Sequence, residues 1–166
     1  MRTFIGVDPG KSGAICWLCD GTCDGNRDGN AVCKMPATER DVWELFTTLY
    51  GGEAFAFIEK VSAMPGRKTT KGKERQSMGA TSAFTFGMGY GGLRMALIAA
   101  GIPFETITPG KWQKHFGLIT PKGKDLTTGE KKNIHKARAQ ELFPGMKVTQ
   151  YNADAILLAE YCRQTK

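Results

Sequence analysis

Two apolar runs that each end on an acid restrict the folds open to this chain of 166 residues. Thr3-Phe4-Ile5-Gly6-Val7 stops at Asp8, and Ala54-Phe55-Ala56-Phe57-Ile58 stops at Glu59. Short, uninterrupted apolar runs of this kind read as buried strands. Leaving a charge inside an apolar sheet is costly, so an acid at the end of such a strand points to work done at the sheet edge. A third acid, Asp154, opens the helical stretch Ala155-Ile156-Leu157-Leu158-Ala159. If the two strands are neighbours and that helix packs beside them, Asp8, Glu59 and Asp154 meet in one place. Carboxylate oxygens are hard donors and select Mg²⁺ (with Mn²⁺ able to substitute) over zinc.

The order of elements supports that convergence. After the first strand, Pro9-Gly10 makes a turn, and Gly13-Ala14-Ile15-Cys16-Trp17-Leu18 returns as an antiparallel strand. The Gly-, Asp- and Asn-rich segment 20–30 reads as an exposed hairpin loop, and a third strand over 31–35 completes a meander. Thr38 caps a helix in which Val42, Leu45, Phe46 and Leu49 repeat at helical spacing. Gly51-Gly52 ends it, and the fourth strand runs into Glu59. A helix over 77–100 follows, despite five glycines that lower its propensity. Gly101 stops it, a fifth strand covers 102–107, and Thr108-Pro109 starts a helix carrying Trp112 and Phe116. Further helices span 130–143 and start near Ala153. Helical crossovers between strands one, four and five make those three parallel. The expectation is a single α/β domain over 1–166, with a mixed five-stranded sheet flanked by helices. Asp8 and Glu59 then share the carboxyl edge of the sheet, where open α/β sheets place their sites.

A formal charge of +7 favours a polyanionic partner, and the excess is localised. One concentration holds Lys60, Arg67, Lys68, Lys71, Lys73 and Arg75. Another runs through Lys111, Lys114, Lys122, Lys124, Lys131, Lys132, Lys136 and Arg138. Both flank the acids, as a grip on phosphates would. Met64, Phe84 and Phe86 are candidates for stacking at a branch point, with the helix core as their ordinary alternative. Trp112 reads as a core anchor, and His115 and His135 read as exposed or structural.

No apolar stretch reaches membrane-spanning length, and Met1-Arg2-Thr3 leads directly into a strand, so a cytoplasmic protein is expected. Five cysteines, an odd number, fit a reducing compartment. Cys16, Cys19, Cys23 and Cys33 offer a weak zinc pattern, because Cys16 lies inside a strand and faces away from Cys19. Small apolar roles in a hairpin are the favoured reading.

Taken in order, these fragments resemble the ribonuclease H-like superfamily and, within it, compact phage-type RuvC Holliday junction resolvases. The resemblance rests on Ile5-Gly6-Val7-Asp8-Pro9-Gly10 with Ser12-Gly13, on Ile58-Glu59-Lys60-Val61, and on Gly87-Met88-Gly89-Tyr90-Gly91-Gly92-Leu93. It continues through Thr108-Pro109 and Trp112, the helix ending Leu142-Phe143-Pro144, and Ala153-Asp154-Ala155. It implies that Asp8, Glu59 and Asp154 are catalytic metal ligands and that Lys131 contacts the scissile phosphate or the leaving group. It also implies a homodimer acting on four-way DNA junctions. The family commonly has a further acid or histidine three residues before the last aspartate, where this chain has Tyr151; Asn152 is the candidate auxiliary ligand.

Other readings remain open at this level. A nuclease of the same fold could act on flaps, forks or RNA–DNA hybrids. A protein with a decayed centre would bind branched DNA without cutting it. Asp8-Pro9-Gly10-Lys11-Ser12-Gly13 could also cradle a nucleotide phosphate in an actin-like or sugar-kinase-like phosphotransferase, although that fold needs a second domain.

Overall fold

The computed structural model describes residues 2–20, 22–23, 27–49, 52–61, 79–120 and 126–166. Five strands form the main sheet: β1 (Arg2–Asp8), β2 (Ala14–Cys19), β5 (Ala31–Lys34), β6 (Glu53–Glu59) and β7 (Phe104–Ile107). Their spatial order is β5-β2-β1-β6-β7. β2 runs antiparallel to both β1 and β5, whereas β1, β6 and β7 are mutually parallel. The segment expected as a plain loop carries a small antiparallel ribbon, β3 (Thr22–Cys23) with β4 (Arg27–Asp28).

The central strands are apolar throughout because helices cover both faces of the sheet. From β1, Ile5 and Val7 join Val42 and Phe46 of α1 (Glu39–Leu49) and Leu93 and Leu97 of α2 (Ala80–Ala99). Phe4 points the other way, into a core shared with α5 (Ala153–Thr165) and with Trp112 of α3 (Pro109–His115). Ala139 of α4 (Thr128–Leu142) closes that layer. In β6 the same alternation sends Ala54, Ala56 and Ile58 to the α1/α2 side and Phe57 to the α5 side.

Two element boundaries differ from the sequence reading, each for a local reason. β7 begins at Phe104, not Ile102, because Ile102 belongs to the end of α2. Its N–H reaches the Leu97 carbonyl at 2.9 Å and the Gly101 N–H reaches Ile98 at 3.0 Å, a Schellman closure with Gly101 at φ +73°. α4 begins at Thr128, not Glu130, because Thr127 and Glu130 form a reciprocal capping box. α2 buries only Leu93, Ala96 and Leu97, and none of the described helices is long and apolar enough to cross a membrane.

Candidate active site

Asp8 and Glu59 are the last residues of two neighbouring parallel strands, paired up to Val7 opposite Ile58. By the two-residue alternation, Asp8 follows Phe4 and Gly6 onto the α5 face, and Glu59 follows Phe57 onto the same face. Asp154 comes from the first turn of α5. That helix lies directly on β1 at Gly6: a Cβ there would fall 2.2 Å from the Ala155 carbonyl oxygen and 2.3 Å from the Ala159 nitrogen. Only glycine permits such an approach, and it brings Asp154, next to Ala155, towards Asp8. All three acids are half-buried.

The carboxylates feel one another. Burial, then the charges of Asp154 and Glu59, push Asp8 up to about 8, with Lys132 opposing. Burial also raises Glu59 to about 6; a hydrogen bond from Trp112 works against this, Asp154 adds to it and His135 reduces it. Two of the acids lean on neutral or switchable partners. Fully buried Trp112 donates from Nε1 to Glu59 Oε2 at 2.9 Å. His135 Nδ1 meets Asp154 Oδ1 at 2.7 Å. The two rings touch edge to face, with centroids 5.2 Å apart, so one aromatic strut braces both acids.

Among the described residues, no three Asp, Glu, His or Cys side chains converge closely enough to seat a single ion as they stand. Glu59 and Asp154 are each engaged by the strut, through Trp112 and His135. Three carboxylates are the donor type that suits a hard divalent cation, and burial first, then neighbouring negative charge, raises the pKa of Asp8 and Glu59. Trp112→Phe removes the donor that favours charged Glu59. The expected result is a Glu59 carboxyl titrating above about 6, read by NMR, in a protein destabilised by the smaller ring.

Of the two sequence readings of His135, exposed or structural, the exposed one falls, since the ring is buried against Asp154. A signal for it existed. His135 and Ala139 are the buried positions of α4, and a polar ring facing a core needs a partner. Asn152, the candidate auxiliary ligand, accepts at Oδ1 from the Thr149 N–H at 2.7 Å and donates from Nδ2 to the Lys147 carbonyl at 3.0 Å. The amide is spent on the turn that leads into α5.

Lys132, rather than Lys131, is the lysine whose charge acts on Asp8, and its ammonium also lies 5.3 Å from the Tyr151 ring centre. Lys131 stands exposed on the first turn of α4, beside His135 in a recess between α3 and α4. Lys111 and Lys114 are exposed on α3. Arg67, Lys68, Lys71, Lys73, Arg75, Lys122, Lys124 and Met64 lie outside the described residues. Phe86 packs on the turn after Asp8, where a Cβ on Gly10 would come within 3.1 Å of its ring, while Phe84 is exposed. His115 bonds Gln164 at the surface. Cys16 is buried in the α5-side core, and Cys19 bonds the Gly29 carbonyl.

No protein-family model and no curated protein sequence matches the chain. Solved structures do. A structure of Thermus thermophilus RuvC matches at 16% identity and a TM-score of 0.56, covering 95% of this chain and 90% of that one. A structure of T. thermophilus RuvC in complex with a Holliday junction substrate matches at 14% identity and a TM-score of 0.57, covering 99% of this chain and 97% of that one. The sheet order, the parallel β1-β6-β7 core and the antiparallel β1-β2-β5 meander agree with this likeness over nearly the whole chain: the protein has the RuvC-like form of the ribonuclease H-like fold.

Proposed function

We propose that the protein is a metal-dependent endodeoxyribonuclease that cuts four-way DNA junctions. One observation carries the reading: Asp8 and Glu59 end neighbouring parallel strands on the face covered by α5, and Asp154 stands in the first turn of that helix, its charge acting on both. The RuvC likeness supports the substrate class, since one of the matched structures holds a Holliday junction. Asp8, which feels both other acids, would be the shared ligand, with Glu59 and Asp154 on either side. Mg²⁺ held there supplies positive charge that stabilises the attacking and leaving oxygens of an in-line displacement. Trp112 and His135 keep Glu59 and Asp154 oriented, and Lys131 and Lys132 bring positive charge to the phosphate. Water attacks phosphorus and the P–O3′ bond breaks, leaving a 5′-phosphate and a 3′-hydroxyl. Lys111, Lys114 and the basic segments around 67–75 and 122–124 would grip neighbouring phosphates, so affinity falls steeply with salt.

The test is a synthetic four-way junction incubated with Mg²⁺ or Mn²⁺, beside a linear duplex of the same sequence. Wild type is expected to cut the junction, whereas Glu59→Gln and Asp154→Asn bind it and leave it whole. Metal-independent binding without cutting by wild type would favour the binding-only reading.

A junction has near two-fold symmetry, and the same proposal includes a homodimer paired through α2. Phe84, Met88, Gly91, Met95 and Ile98 recur at spacings of four, three, four and three, the period of a coiled-coil seam. The four large side chains are 57% to 71% exposed, and no atom lies within 4 Å of a Cβ built on Gly91. Met88→Lys is expected to turn the dimer into a monomer in sedimentation and to replace paired cuts by single nicks. An unchanged sedimentation coefficient removes the seam.

A further inference from the structure

We infer that the recess between α3 and α4 holds the base of a nucleotide flanking the scissile phosphate and that Gln113 selects that base; this rests on the nuclease reading above. The recess, about 290 Å³, lies at the lower end of small-molecule sites and is sized for one flat group. Its position ties it to the acids, because His135 forms part of its wall and also bonds Asp154. The remaining walls divide by chemistry. Leu118, Ile119 and Ile134 are apolar, and the last two are large side chains left exposed in the free protein. Lys131 supplies a cation with no ion-pair partner among the described residues.

Gln113 is half-buried, and its backbone is fixed by the Leu118 N–H on its carbonyl at 2.7 Å. Its side-chain amide makes no hydrogen bond among the described residues. A side-chain amide left free to donate and accept, on the lining of a recess that also carries aliphatic side chains, is equipped to read a base edge while apolar groups contact the base. Lys131 then meets the adjoining phosphate. A nucleotide offers the amide a base edge and the cation a phosphate within one ligand.

Two measurements test this. The first is a panel of four-way junctions that differ only in the base pairs within two nucleotides of the branch point. Wild type is expected to prefer one base at one position by about tenfold, the scale of a good side-chain-to-base pair. Gln113→Ala is expected to flatten that preference while the protein still cuts. Equal cutting of every junction by wild type, or a preference that survives Gln113→Ala, overturns the inference and leaves the nuclease reading standing. The second needs no cleavage. 2-Aminopurine is placed in turn at those positions, and the junction is bound in chelator. One position is expected to change fluorescence with wild type and to lose the change with Ile134→Ala, which can be checked for folding by its thermal transition. No responsive position in a bound junction overturns the inference. Failure of wild type to cut any junction is instead the failure of the nuclease reading.

Discussion

Asp8→Asn is expected to stop junction cutting and, in metal-free buffer at pH 8, to leave the protein more stable than wild type. The first effect follows from charge. Asp8 is the carboxylate that feels both other acids, so neutralising it removes the proposed shared ligand. Lewis-acid stabilisation amounts to several kcal/mol, which places the loss at about 10³-fold or more. The second effect has the opposite sign. Burial, together with Asp154 and Glu59, raises Asp8 to about 8 from an ordinary 3.8. Between those values the folded protein keeps a proton that the unfolded chain has released, so folding stability declines as pH climbs from about 4 towards 8. An asparagine carries no such penalty. Because Asp8 is only half-buried, the gain is discounted to about 1–2 kcal/mol at pH 8, or roughly 2–8 °C in Tm, and it vanishes near pH 4. Mg²⁺ is expected to raise the Tm of wild type at pH 8 and to raise that of the variant much less. Parallel Tm-versus-pH curves for the two proteins would mean that the three acids do not share a field, and the metal site would go with it.

The sheet and the three acids were legible because their signals are local. A strand buried on both faces must be apolar at consecutive positions, so Thr3–Val7 and Ala54–Ile58 stood out, and the acid closing each run marked the sheet edge. The aromatic strut was not legible. His135 and Asp154 are 19 residues apart and meet only because α4 packs on α5, a contact no spacing rule encodes. Trp112 was visible as a core anchor, but its bond to Glu59 depends on which way the indole turns within that core. The influence of Lys132 on Asp8 was not legible either, since adjacent helix positions differ by about 100° in direction and only the packed helix decides which lysine's charge acts on Asp8. Asn152 looked like a spare oxygen donor beside Asp154, yet the turn into α5 had its own unpaired backbone groups to satisfy and took both ends of the amide.

Gly6→Ala is expected to be severely damaging although it adds a single methyl. Glycine inside a strand is a poor strand former and marks a place where another backbone comes close. Here the new methyl would meet the Ala155 carbonyl oxygen at 2.2 Å, the Ala159 nitrogen at 2.3 Å and the Ala159 Cα at 2.9 Å. All three are backbone atoms, so no rotamer change relieves the clash and α5 has to lift from β1. That helix is buried along nearly its whole length, including Ile156, Leu157 and Leu158, and lifting it opens the core it fills. A cost of about 3 kcal/mol or more follows, at or above the usual range for overpacking. Any protein that still folds would carry Asp154 out of place, and a misplacement of about 1 Å is enough to cost about 10²-fold in rate. Gly89→Ala is the matched control. It lies in α2 with nothing within 4 Å of its would-be Cβ, off the proposed seam, and should stabilise by about 0.5–1 kcal/mol through helix propensity alone. Thermal unfolding of the two variants, followed by junction cutting by whatever remains folded, separates a clash at β1 from a general intolerance of extra methyls. If Gly6→Ala melts with wild type and cuts at the wild-type rate, α5 does not rest on Gly6, and that contact does not hold Asp154 beside Asp8.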